Sequence, residues 1–189
     1  MQTLRPPFMM IILFTVLCGG LYPAVVTGLA QILFPRQAAG SLIFDHSGRV
    51  VGSELIGQPF TDPAYLWPRP SASAEFAYNP MASGGSNAGP TNPAYLATVA
   101  KRVQDLRAAG INGPVPADLA QASASGLDPH ITPQAANQQI QRIAAARSMS
   151  AEQVASVIAA RTEPRQWGFM GAPRVNVLVI NLELDTLIP

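Results

Sequence analysis

Two short segments carry residues whose types and spacing could do chemistry. One contains Ser125, Asp128 and His130, in the order Ser125-Gly126-Leu127-Asp128-Pro129-His130-Ile131. A hydroxyl, a carboxylate and an imidazole are the parts of a nucleophilic triad, in which the imidazole takes the hydroxyl proton and the carboxylate orients the imidazole. Triad members meet through the fold rather than along the chain, and no strand-turn-helix elbow surrounds Ser125. The same residues also read as a structured loop leading into a helix, with Thr132 as its cap and Pro133 at its first position. The other segment is Ser83-Gly84-Gly85-Ser86-Asn87, within residues 78–93, a run of sixteen residues without a charge. Its glycines permit positive φ and close approach of another group, as a phosphate cradle requires. Pro80, Pro90 and Pro93 stop helix and strand from crossing it and lower its entropy, so it reads as an ordered polar loop that exposes backbone.

The elements that must position these segments follow from local signals. After the loop, Asn92 or Thr91 caps a helix with Pro93 at its first position, and Leu96, Val99, Val103 and Leu106 recur at helical spacing until Gly110 closes it. Ahead of the loop, residues 58–70 are too rich in proline for regular structure, and Phe60, Tyr65 and Trp67 are expected to pack that segment onto the domain. Arg69, between two prolines, is held extended as an interface anchor or a salt-bridged surface residue. Two β-prone runs, residues 41–44 and 49–53, flank the turn-rich Asp45-His46-Ser47-Gly48 and read as a hairpin with His46 at its turn. Helices are expected over residues 133–147 and 151–161, the latter opened by a Ser150/Gln153 capping box. Residues 174–184 read as the strongest strand, central in a small sheet.

Composition narrows the function classes. Charged residues are 12% of the chain, about half the usual share for a soluble globular protein, and mean hydropathy is positive. The net charge is +1 and Lys101 is the only lysine, which leaves no basic patch for nucleic acid. The single cysteine, Cys18, excludes an internal disulfide and a thiolate cluster, and His46 and His130 lack zinc-ligand spacing. Between Arg5 and Arg36 lies an uncharged apolar stretch; residues 8–33 alone give roughly 39 Å of helix, more than a hydrocarbon core of about 30 Å. A cleaved signal peptide competes with this reading, but the run exceeds a normal h-region and contains Pro23. Gly19, Gly20 and Gly28, with Thr15 and Thr27, suit close helix–helix approach, as well as plain lipid exposure. The expected organisation is a tail at residues 1–7, a transmembrane helix at 8–34 and a soluble α/β domain at 35–189, with a short sheet and about three helices. The free amino terminus tips the N-terminal side towards the cytoplasm.

Taken together, the N-terminal span, Arg69-Pro70-Ser71-Ala72, Tyr78-Asn79-Pro80 through Ser83-Gly84-Gly85-Ser86-Asn87, Gly89-Pro90-Thr91-Asn92-Pro93, Ser125 through Ile131 and Pro173-Arg174-Val175-Asn176-Val177-Leu178 resemble the KdpC family, the C subunit of the Kdp potassium-transporting ATPase. The resemblance runs essentially end to end. It implies a non-catalytic accessory subunit of a bacterial inner-membrane complex whose transported ion is K+. The implied partners are a channel-like potassium-translocating subunit, a P-type ATPase subunit and a small single-span subunit, besides membrane lipid and with no nucleic acid. It also implies an extracytoplasmic domain, a part in assembly, and action as a catalytic chaperone that raises the ATP affinity of the ATPase subunit. ATP is the one ligand it suggests, through Ser83-Gly84-Gly85, which looks like the core of the Leu-Ser-Gly-Gly-Gln signature of ABC transporters. Here Ala82 and Ser86 flank that core, the helix starts only at Asn92, and no Walker-type lysine is present. Arg69, Tyr78, Asn79, Asn92, Asp128 and His130 are the expected subunit contacts, beside residues 83–87 as a nucleotide-binding or subunit-contact loop. A membrane-anchored serine hydrolase and a nucleotide-binding regulator are the alternatives.

Overall fold

A computed structural model describes residues 4–45 and 47–187. His46, expected at a turn, lies outside them. The chain forms two compact units, residues 1–51 and 52–189.

The first unit begins with a continuous helix, Arg5–Leu33, long and apolar enough to cross a membrane. It consists of α1 (Arg5–Val16), a π-helical segment (Leu17–Leu21) and α2 (Tyr22–Leu33). Pro23 explains the change of pitch. It has no N–H to give to the preceding turn, and its ring would clash with the carbonyl four residues back. Widening the helix there, so that the Tyr22 N–H reaches the Leu17 carbonyl, carries the helix past the proline without a break. The helix stops at Phe34, and Pro35 opens the single turn α3 (Pro35–Ala38).

The expected hairpin follows as β1 (Leu42–Phe44) and β2 (Val50–Ser53). Asp45 closes it. Its Oδ1 accepts from the backbone N–H of Ser47 (2.8 Å) and of Arg49 (2.9 Å), and from the Ser47 hydroxyl (2.6 Å). These bonds, the Ser47 hydroxyl first, hold the Asp45 carboxyl down at about 2.

The second unit is built on α4 (Pro93–Ala108), the turn α5 (Ala117–Ala120), α6 (Pro133–Asn137), α7 (Ile140–Arg147), α8 (Ala151–Ala160) and α9 (Val177–Thr186). A three-stranded antiparallel sheet, ordered β3 (His130–Ile131), β5 (Arg174–Asn176), β4 (Thr162–Glu163), lies among them, with Ile131 and Thr162 both opposite Val175. The core joins Ile131 and Val175 of the sheet to Leu106, Ile143, Val154, Ile158, Ile180 and Leu184 of the helices. Asn92 caps α4, Thr132 caps α6, and Ser150 with Gln153 forms a reciprocal capping box on α8, as the sequence indicates.

Three expectations need correction. The strand over residues 174–184 is central as expected but ends at Asn176, and residues 177–186 are helix. Asn176 makes the switch: its Oδ1 accepts from the Val179 N–H (3.2 Å) as an N-cap, while its Nδ2 donates to the Glu54 carbonyl (2.8 Å). Val177, Ile180 and Leu184 are then buried at helical spacing. The single helix over residues 133–147 is two, because the chain tightens at Gln139, whose N–H bonds to the Ala136 carbonyl and whose side chain turns inward. The domain therefore holds more than the three helices expected. In α4, Leu106 alone of the apolar stripe is buried, and Leu96 stays largely exposed.

Candidate functional site

The two chemistry-bearing segments lie against each other. The Gly84 N–H donates to the Ser125 carbonyl (2.9 Å), and the Ser83 hydroxyl donates to the same oxygen (3.0 Å). The approach is tight on both sides and demands glycine at position 126. A Cβ on Gly85 would lie 3.0 Å from the Ala124 carbonyl oxygen. At Gly126 (φ +69°) a Cβ would lie 2.7 Å from the Gly84 carbonyl oxygen and 3.0 Å from the Ser73 nitrogen. Gly84 itself points outward, with nothing within 4 Å of an added Cβ.

A third strip, residues 69–79, backs this junction. The Ser71 hydroxyl donates to the Gly126 carbonyl (2.8 Å) and accepts from the Tyr78 N–H (2.9 Å). Ser73 Oγ accepts from the Asn79 N–H (3.1 Å), and the Asn79 side chain bonds both the Ala74 carbonyl and the Met81 N–H. Tyr78 and Asn79 are buried, and the Tyr78 hydroxyl donates to the Arg69 carbonyl. Burial, and then the nearby Asp128 carboxylate, push the Tyr78 phenol well above its ordinary value, so it stays a neutral donor. Left-handed backbone occurs in the polar loop at Tyr78 and Asn87 rather than at its glycines.

The charged groups form a chain across the edge of the sheet. Arg69 Nη1 donates to Asp128 Oδ2 (3.0 Å), and Asp128 Oδ1 lies 3.5 Å from His130 Nδ1. His130 Nε2 lies 3.8 Å from Glu163, which pairs with Arg174 at 2.8 Å. Burial works against the Asp128 charge, but the His130 side chain, the His130 backbone N–H and the Arg69 guanidinium outweigh it. The net effect holds the carboxyl below the ordinary carboxylate value. Arg69 Nε is buried with no hydrogen-bond partner among the described residues. A cavity of about 620 Å³ opens beside this chain, lined by Leu55, Arg69, Ser125 and Asp128 among others.

The structure therefore brings Asp128 and His130 together, with Arg69, but does not join Ser125 to them. The Ser125 hydroxyl accepts from the Leu127 N–H (3.1 Å) and lies 3.5 Å from Ser123 Oγ, while both imidazole nitrogens face carboxylates. A triad needs the opposite arrangement, with the base on the hydroxyl. At residues 83–87, two features weigh against a phosphate cradle. The Gly84 N–H is already bonded, and the loop holds no cation. The first amides of α4 are taken by Asn92, whose Oδ1 accepts from Ala94 N (3.0 Å) and Tyr95 N (3.2 Å). What remains turned to solvent is the outer edge of the loop, Ser83, Ser86 and Asn87. Ser71 and Gly126, which close the junction, stand in motifs that the sequence displays, but nothing in their spacing says that they meet. Among the described residues no group of three or more His, Cys, Asp or Glu could hold a metal ion.

A sequence-family model described as KdpC, K+-transporting ATPase, c chain, matches residues 4–186. Curated relatives agree with it. The chain is 66% identical over 189 residues, the whole of both chains, to the potassium-transporting ATPase KdpC subunit of Geobacter sulfurreducens. It is 59% identical over the same length to that of Geobacter metallireducens. It is 56% identical, over 185 residues and 97% of each chain, to that of Methylococcus capsulatus.

Proposed function

The chain belongs to the KdpC family, the c chain of the K+-transporting ATPase, and from that premise we propose that it is a non-catalytic accessory subunit of a high-affinity, ATP-driven potassium uptake complex. It crosses the inner membrane once through Arg5–Leu33, with its N-terminus in the cytoplasm and the domain from residue 35 onward outside. It assembles and stabilises the complex, contacting the channel-like potassium-translocating subunit, the P-type ATPase subunit and the small single-span subunit. It raises the ATP affinity of the ATPase subunit as a catalytic chaperone, without itself holding the nucleotide. The bonded Gly84 N–H and the capped start of α4 support the last point.

One observation carries the reading. Residues 83–85 are fixed from behind by Ser125 and Gly126, while Gly84 looks into open space. A polar loop held rigid without filling any core is already organised for contact with another chain, and rigidity lowers the entropic cost of that contact. Gly84→Val tests it, because a Cβ added there has no atom beyond its chain neighbours within 4 Å. The variant should melt like the wild-type chain yet fail to co-purify with the other subunits, and potassium uptake should fall with it. Unchanged co-purification and unchanged uptake would remove the loop from the interface.

A further inference from the structure

Between β4 and β5 the chain forms a small hairpin that the junction described above does not use. The Gln166 N–H donates to the Met170 carbonyl (3.0 Å), and the Met170 N–H donates back to the Gln166 carbonyl (2.9 Å). At its tip Trp167 (φ +52°) and Gly168 (φ +82°) are both left-handed, the signature of a type I′ turn. Arg165 Nη1 braces the base by donating to the Gly171 carbonyl (2.7 Å). The tip carries Trp167 at 83% exposure and Phe169 at 72%, with Met170 half exposed beside them. Trp167 thus combines two unfavourable features. A bulky side chain sits in left-handed backbone, and its ring stands mostly in water.

We propose that this hairpin is an anchor that inserts Trp167 and Phe169 into an apolar socket on another protein chain of the same transport complex, with oxygen acceptors at the socket rim for the indole N–H. The inference rests on the accessory-subunit reading given above. Trp and Phe each bury about 150–250 Å² when fully enclosed. That is less than the roughly 800 Å² per partner of a stable interface, so the hairpin is a central anchor inside a larger contact. Aromatic residues in desolvated pockets fill that role in protein interfaces. A lipid surface fits less well. Between Pro164 and Pro173 the only charge is Arg165, which is engaged at the base, so nothing resembles the basic cluster that holds a segment on anionic headgroups. Lipid is fluid and gains nothing from a tip fixed by two backbone bonds and a left-handed turn, whereas a shaped socket does.

The test uses the full chain co-expressed with the other subunits. A photoreactive benzoylphenylalanine at position 167 should crosslink to a second protein chain in the purified complex, while the same group at Lys101, exposed on α4, should not. Trp167→Ser with Phe169→Ser should lower recovery of the complex by about tenfold or more, with the thermal melting of the chain unchanged, and Trp167→Phe should restore most of it. Wild-type recovery of the double variant, or a position 167 that yields only lipid adducts or none in an assembled complex, would overturn the proposal. Failure of the wild-type chain to assemble with any other subunit would instead overturn the accessory-subunit reading, and the anchor with it.

Discussion

Gly126 is where the two loops close, and its surroundings leave no alternative residue. Backbone atoms of Gly84 and Ser73 stand where a Cβ would go, and neither is the end of a flexible side chain. Gly126→Ala adds a clash to left-handed strain and should cost about 2–4 kcal/mol in denaturant unfolding of the detergent-solubilised chain. A loss below about 0.5 kcal/mol would show the junction to be pliable. Asp128 makes a second residue-scale prediction. Its folded carboxyl lies below the ordinary value, so the stability it contributes is complete above the unfolded value of about 3.9 and disappears as pH falls through the folded one. The stability gap between wild type and Asp128→Asn should therefore be largest near neutral pH and close on acidification below about pH 4. A constant gap would refute the assignment. The sequence presented Ser125, Asp128 and His130 as neighbours, but not which atoms face each other. The Ser125 hydroxyl is captured by a local turn bond, and the His130 partner Glu163 comes from another strand.

At the scale of elements, the proline-rich segment before the polar loop is held by side chains where a strand would use backbone. The Leu66 N–H donates to Asn181 Oδ1 (2.7 Å), and Asn181 Nδ2 donates to the Leu66 carbonyl (3.0 Å). Gln139 does the same for Trp67, at 2.8 and 3.2 Å. Two amides, one from α9 and one from the break between α6 and α7, thereby stand in for a β-partner that the flanking prolines forbid. Arg142 stacks over the Trp67 ring at 3.8 Å, and Arg147 reaches the Ala64 carbonyl. Asn181→Leu keeps the volume of a buried side chain but strands a buried N–H and carbonyl, so it should cost about 2–4 kcal/mol. Chemical denaturation at fixed detergent measures this, and a neutral effect would mean that water replaces the amide. Caps and proline starts were legible here because each is a local bond within three residues: Asn92, Thr132 and Ser150 all hold. Residues 177–184 carry a strand signal because β-branched Val177, Val179 and Ile180 favour a strand locally. Burial of Val177, Ile180, Asn181 and Leu184 against the rest of the domain decides for helix.

For the whole molecule, the legible part is an apolar N-terminal helix, long enough to cross a membrane, followed by a mixed helix-and-sheet domain; in the membrane-spanning arrangement proposed above, one arginine lies at either end of the helix, nearly a tie in charge. Labelling can decide the orientation, because the chain has one cysteine, Cys18, within the apolar helix. In a Cys18→Ser background, Ser47→Cys puts a thiol on the exposed hairpin turn of the first unit, and Ser86→Cys puts one on the outer edge of the polar loop in the second. If the domain is exported, a membrane-impermeant maleimide should label position 47 in intact cells without lysis; labelling only after lysis would reverse the orientation. Position 86 then reports assembly in the same assay. It should label readily when the chain is expressed without the other subunits and become protected when they are present, while position 47 serves as the reference for accessibility. Equal labelling of position 86 in both cases would leave the loop facing water, and the contact surface would have to be sought elsewhere on the domain.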